Sequence, residues 1–325
     1  MLQLVRYKNL LFTAVLQLLI YAAVILPTLQ SYQLDDVMGY TKVIALILST
    51  VLITAGGYVI NDYFDVKIDR INRPDRVIVG NTIPKEEVMK IYQGLTIAGI
   101  ALGIYLSYAI HSITLGFIYI VVPGMLWFYS SSYKRMLIVG NLIVALCSAL
   151  VPLLPMLAMQ RVLVNNWGDA ILGTPILRDL YIIVGAISLF AFLWTFIREV
   201  IKDIQDVYGD RELECHTIPV VWGEKGARIL VIVLSVLTCA LLICLSYKAD
   251  IAHNATMTLR YAIFGVAFPA ICLIGILLKN DRSAARNASN LCKFIMVIGM
   301  LYCLVYNYLM AQGYGVNILG LFKLA

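Results

Sequence analysis

Uncharged runs long enough to cross a bilayer govern what this chain can fold into. Val43 to Asn61 carries no charge over nineteen residues, and Leu180 to Ile197 none over eighteen. A membrane-spanning helix needs about 20 consecutive apolar residues. Nine segments fit that description, near 10–28, 43–60, 91–110, 113–129, 136–157, 180–197, 229–247, 260–278 and 291–311. Hydrophobic residues make up 61% of the chain and charged ones only 14%, where soluble domains carry about 25%. Mean hydropathy is +0.87. The runs lack the ten-residue alternation of an outer-membrane barrel. These features predict an all-α fold: a polytopic membrane bundle of about nine transmembrane helices. Residues 1–325 are expected to form one domain, with two large loops as a cap. Arg6 and Lys8 precede the first apolar run without a small-residue cleavage site, so that run reads as a spanning helix rather than a signal peptide.

Charge asymmetry sets the expected orientation. With the N-terminus in the cytoplasm, 19 of the 25 Lys and Arg residues fall in cytoplasmic segments, as the positive-inside rule requires. The net charge of +6 is spread over these connections and gives no reason to expect a nucleic-acid partner. None of the seven cysteines forms a C-x-x-C pair, and most lie in apolar runs, so they read as small buried hydrophobes.

The charges that remain are patterned. Asp62, Asp65 and Asp69 follow the second apolar run at spacings of three and four, which places them on one helix face. The pattern recurs: Asp62-x-x-Asp65-Val66-x-x-Asp69-Arg70 matches Asp203-x-x-Asp206-Val207-x-x-Asp210-Arg211 position for position, after the sixth run. Glu199 extends the second acidic face by one turn. Like charges so placed repel unless a cation sits among them, and clustered hard oxygens suit Mg²⁺ or Ca²⁺. Arg70, Arg73 and Arg76 follow the first cluster and offer anion-binding forks. Two carboxylate clusters on the same membrane side, beside arginines and above an apolar bundle, suit a metal–diphosphate complex with a lipid tail running between the helices.

The sequence resembles the UbiA superfamily of intramembrane prenyltransferases. Asn61-Asp62-x-x-Asp65 followed by Asn72-Arg73-Pro74-Asp75-Arg76 is similar to the first family signature. Glu199-x-x-x-Asp203-x-x-Asp206, then Gly209-Asp210-Arg211 and Thr217-Ile218-Pro219, is similar to the second. Tyr129, Lys134 and Gly140-Asn141 resemble the short loop between spans four and five. Val77 and Glu214 depart from the usual pattern, where proline and glycine are common.

The resemblance implies Mg²⁺-dependent transfer from a polyprenyl diphosphate to a lipid or aromatic acceptor in the bilayer. Asp62, Asp65, Asp203 and Asp206 would hold Mg²⁺, assisted by Asp69, Asp210, Glu199 and Asn61. Arg70, Arg73, Lys134, Arg198 and Lys202 would meet the diphosphate. Tyr58 and Tyr129 would face the reacting carbon as aromatic stabilisers of a cation. The run from Arg198 to Asp206 most resembles the ether-lipid branch, whose acceptor is a prenylglyceryl phosphate; 4-hydroxybenzoate or naphthoate acceptors of quinone synthesis are the alternative. The expected setting is the plasma (inner) membrane of a prokaryote, with the site on the cytoplasmic side. A cation transporter is the competing class, but the interiors of all nine runs lack Asp and Glu, where an ion pathway would need them.

Overall fold

A computed structural model of the chain describes residues 2–72, 74–248, 255–279 and 282–319. Among the described residues, nine helices are long and apolar enough to cross a membrane: α1 (Tyr7–Ser31), α2 (Tyr40–Asn72), α3 (Lys85–Ala109), α4 (Ile113–Ser131), α5 (Val139–Trp167), α6 (Pro175–Glu212), α7 (Gly223–Lys248), α8 (Thr256–Leu277) and α9 (Ala284–Tyr314). All nine expected spans are present, and the chain is an integral multi-pass membrane protein. Arg73 and His253 lie outside the described residues.

Helix boundaries follow local chemistry. Pro84 precedes α3, and Glu86 and Glu87 in its first turn complement the helix dipole. The Ser112 hydroxyl accepts from Leu115 N at the start of α4. Two helices contain a π-helical turn, Ile20–Ile25 in α1 and Ala262–Ala267 in α8. No residue pattern in the sequence marks those turns.

Two expectations need correction. The fifth span does not stop near 157; α5 continues to Trp167. Pro152 and Pro155 lie within it, yet Ala158, Met159, Val162 and Leu163 beyond them are buried and hold the helix in the bundle. The large loops are also shorter than their charges suggest, because α2 and α6 project past the apolar runs and carry the acidic motifs on their last turns. What remains of the cap is a 3₁₀ turn at Pro74–Arg76, an isolated bridge between Val79 and Ile83, and a one-turn helix at Ile218–Val221. After α9 the chain packs back on the bundle: Val316 is buried, and Leu319 N donates to Asn307 Oδ1 at 2.9 Å.

The position of the site depends on how α2 and α6 meet. Asn72, the last residue of α2, donates through Nδ2 to the Asp206 carbonyl at 3.3 Å and accepts from Gly209 N at 3.0 Å. A Cβ at position 209 would lie 2.5 Å from Asn72 Nδ2, so only glycine admits this contact. One side chain thus stitches the two acidic helix ends together. Asn72→Ala removes both bonds and should cost about 1–3 kcal/mol. A lowered melting temperature of the purified protein in detergent checks this; an unchanged one would show the stitch to be dispensable.

Candidate active site

The last turns of α2 and α6, the turn before α5 and the residues before α1 enclose a polar chamber of about 500 Å³. Asp65, Asp69, Glu199, Asp203, Asp206 and Asp210 all line it. Asn61, Tyr129, Lys134, Arg198 and Lys202 line it too, so most of the expected site residues converge. Asp62 turns instead to Arg6, whose Nη2 donates to its Oδ1 at 2.6 Å. Arg70 is exposed near Gly80 and lines neither this chamber nor the one beneath it. Five residues beyond Asp65 on a helix, it faces well away from that acid.

The acids are individually matched. Lys134 Nζ pairs with Asp65 Oδ1, while Asn61 Nδ2 donates to Asp65 Oδ2 at 2.6 Å. The turn Tyr133–Arg135 brings Lys134 in by folding against Gly140, where a Cβ would lie 2.7 Å from the Lys134 Cα. Asn141 Nδ2 donates to Asp203 Oδ2 at 2.7 Å. Buried Glu199 accepts from Lys202 Nζ at 2.6 Å and from Arg198 Nη1 at 3.0 Å. Asp210 accepts from Thr217 Oγ1 at 2.9 Å.

Beneath lies a second, mainly apolar chamber of about 420 Å³. Thr50, Ile53, Thr54, Gly57, Tyr58 and Asn61 line it from one face of α2, at the 3–4 residue spacing of a helix. Gly57 faces inward, and a Cβ there would meet Leu126 at 2.9 Å. Gly56, its neighbour, faces Thr96 of α3 instead. The chambers share Arg6, Asn61, Tyr129, Arg198, Glu199 and Lys202, among others, so they meet at a rim that is polar above and apolar below. The Nε of Arg198 is buried there with no hydrogen-bond partner among the described residues.

Arg6 was legible only as a membrane-side cation. Its backbone sits at φ +51°, which breaks the chain before α1 and aims the side chain at the site. The guanidinium lies 5.0 Å over the Tyr58 ring, whose hydroxyl accepts from Asn9. Burial works against its charge, but Asp62, Tyr58 and Asp65 outweigh burial and raise its pKa above the ordinary value. Leu4 beside it is fully buried against Val59, Val66, Val79 and Val88. Burial also pushes the Cys215 thiol up, with Asp210 adding to it, so that cysteine is no ready metal ligand.

The donor set fits Mg²⁺ in kind, since hard carboxylate and amide oxygens from two helices face one chamber. Among the described residues no three of these acids stand close enough to grip an ion as they are. They are drawn instead onto Lys134, Arg6 and the two amides.

A model of the UbiA prenyltransferase family matches residues 10–298. The chain belongs to the UbiA prenyltransferase family. This UbiA protein is 30% identical over 281 residues to the digeranylgeranylglyceryl phosphate synthase of Methanosphaera stadtmanae, covering 83% of this chain and 89% of the relative. In fold it resembles a structure of a digeranylgeranylglyceryl phosphate synthase, with TM-score 0.59 and 22% identity, covering 94% of this chain and 96% of that one. It also resembles a UbiA homolog from Archaeoglobus fulgidus bound to DMAPP and Mg²⁺, with TM-score 0.54 and 15% identity over 92% of this chain and 96% of that one. This UbiA protein is a prenyltransferase.

The Arg6–Asp62 pair tethers the lead-in over the site. Asp62→Asn should speed backbone amide exchange across Gln3–Tyr7 several-fold relative to α3. Unchanged protection would mean that burial of Leu4 alone holds the segment.

Proposed function

We propose that this UbiA protein, acting as one unit over residues 1–325, transfers a prenyl group from a polyprenyl diphosphate to the hydroxyl of a prenylglyceryl phosphate. The observation that carries this reading is the rim. A chamber lined by acids and cations opens directly into an apolar one, as a substrate with a diphosphate head and a hydrocarbon tail requires. Relatives named digeranylgeranylglyceryl phosphate synthase at about 30% identity support the acceptor class.

In this reading Asp62, Asp65, Asp203 and Asp206 would hold Mg²⁺, with Asn61, Asp69, Glu199 and Asp210 assisting. Bound Mg²⁺ would neutralise the charge that develops on the departing diphosphate. Lys134, Arg198 and Lys202 contact the diphosphate, and the orphaned Arg198 Nε is a donor waiting for such an acceptor. The C1–O bond to the diphosphate breaks, leaving an allylic cation at the rim. Tyr58 and Tyr129 line the apolar chamber there and present aromatic faces to that charge. The acceptor hydroxyl then bonds to C1, and its proton passes to an oxygen of the departing diphosphate. Placement at the cytoplasmic face follows from the Lys and Arg asymmetry.

The test is lipid extraction after incubation with Mg²⁺, radiolabelled geranylgeranyl diphosphate and a panel of glyceryl phosphate and aromatic-acid acceptors. Ether-lipid product formed only with the glyceryl phosphate is expected; product only with an aromatic acid overturns the acceptor. Asp65→Asn and Asp203→Asn should each lower turnover by at least about 100-fold, as losing transition-state charge stabilisation does. Both variants should still insert and fold. Full turnover in excess chelator would exclude the metal role. Gly57→Trp should obstruct the apolar chamber about a third of the way down and penalise long donors more than short ones; equal loss across donor lengths would place the tail elsewhere.

A further inference from the structure

The apolar chamber has a floor. On α2 its lining runs from Asn61 at the rim down to Thr50, eleven residues of helix and so about 17 Å deep. On α4 it runs the same number of residues, from Tyr129 down to Ile118 and Tyr119. The linings on α6 and α9 stop higher, at Thr195 and Val297. The deepest part is therefore closed by α1, α2, α4 and α5, through Leu16, Thr50, Tyr119 and Leu154.

Tyr119 is the bulkiest of these and is held in place. It is 2% exposed, and its ring fills the space beside Gly103, where a Cβ would lie 2.4 Å from the ring. The ring therefore has no room to swing toward α3. Just below, fully buried Gln17 of α1 donates through Nε2 to Thr50 Oγ1 at 3.2 Å and to the Val151 carbonyl at 3.0 Å. That bridge fastens α1 to α2 and α5 at the level where the chamber ends. The floor is also polar. Gln17 Oε1 and the Tyr119 hydroxyl are buried without a well-formed hydrogen bond among the described residues. Hydrocarbon pushed against such groups gains little and keeps them unsatisfied.

We propose that Tyr119, backed by Gln17 and Thr50 and faced by Leu16 and Leu154, is the stop that measures the donor's prenyl tail. This inference rests on the prenyl-transfer reading above and adds a length limit to it. An isoprene unit adds four chain bonds, about 5 Å when extended, so a depth of about 17 Å accepts about three to four units below the rim. Longer tails meet the Tyr119 ring.

The experiment supplies the full-length protein in lipid nanodiscs with Mg²⁺, a glyceryl phosphate acceptor and all-trans donors of two to six isoprene units. Use of the six-unit donor should fall about tenfold or more below that of the four-unit donor, the penalty of forcing methylenes into a filled site. Tyr119→Ala should raise the six-unit to four-unit ratio by a similar factor, and Tyr119→Phe, which keeps the ring, should leave the ratio in place. Leu154→Ala tests the same floor from α5 should Tyr119→Ala fold poorly. A wild-type measurement stands beside the variants: four-unit and two-unit donor analogues with a diazirine on the last unit, mapped by digestion after photolysis. The four-unit probe should label peptides holding Leu16, Tyr119 or Leu154, and the two-unit probe those holding Gly57 or Leu126. Equal wild-type use of four- and six-unit donors, or four-unit labelling on α9 instead of the floor, overturns the proposal. If no prenyl diphosphate is turned over or competes with the probes, the prenyl-transfer reading itself fails and takes the length limit with it.

Discussion

Repulsion among carboxylates is the constraint from which the rest of this structure follows. Seven acids from two helix ends gather above a bundle whose interior supplies no counter-charge, where low polarity leaves their repulsion poorly screened. Such a gathering persists only if each charge is answered, and the answers come from separated parts of the chain. Arg6 reaches Asp62 from the lead-in, and Lys134 reaches Asp65 from the α4–α5 turn. Asn141 serves Asp203 from the start of α5, and Thr217 serves Asp210 from beyond α6. The connections on this side of the bundle are thus ordered by the acids they neutralise.

The same constraint explains the two chambers. Charged groups stay near the helix ends because moving them deeper would cost about 2.5–3.5 kcal/mol each on insertion scales. Hydrocarbon favours the opposite end, at roughly 0.8 kcal/mol per buried CH₂. An amphiphile bound here is sorted along one axis, and the bond between its two parts falls at the rim. Tyr58 and Tyr129 sit at that level, with an apolar body and a polar tip suited to a boundary.

Much of this was legible in the sequence, for reasons that differ by feature. The spans were readable because an uncharged run of twenty residues has few other fates. The acidic faces were readable because helical spacing is local. Asp65, Asp69, Glu199, Asp203, Asp206 and Asp210 accordingly share a chamber as expected. Contacts between distant segments left no such trace. Arg6 looked like one more membrane-side cation, since nothing local shows its left-handed backbone. Asn72 and Asn141 stood inside recognisable motifs, but their partners lie 134 or more and 62 residues away. Tyr119 was one aromatic in an apolar run, and only the packing of α3 against α4 makes it a wall. Arg70 shows the limit of proximity in sequence: it follows the first cluster directly, yet it lines neither chamber.

The duplicated motif is symmetric in sequence but not in what its copies do. A shift of 141 residues superposes Asp62 on Asp203 and Asp65 on Asp206, and it also places Tyr58 against Glu199 and Asn61 against Lys202. The acids repeat while the flanking residues diverge. On α2 the position one turn before the first aspartate is an aromatic ring under a guanidinium. On α6 it is a buried carboxylate that positions Arg198 and Lys202. Asp62 is answered by a full positive charge, Asp203 by a neutral amide. The first aspartate of each copy is thus held by different chemistry, one in a charge pair and one by an amide dipole. Two copies of one acidic helix end thus repeat the same acids, while the residues beside them differ: an aromatic ring capped by Arg6 on α2, and a buried carboxylate gripped by two cations on α6.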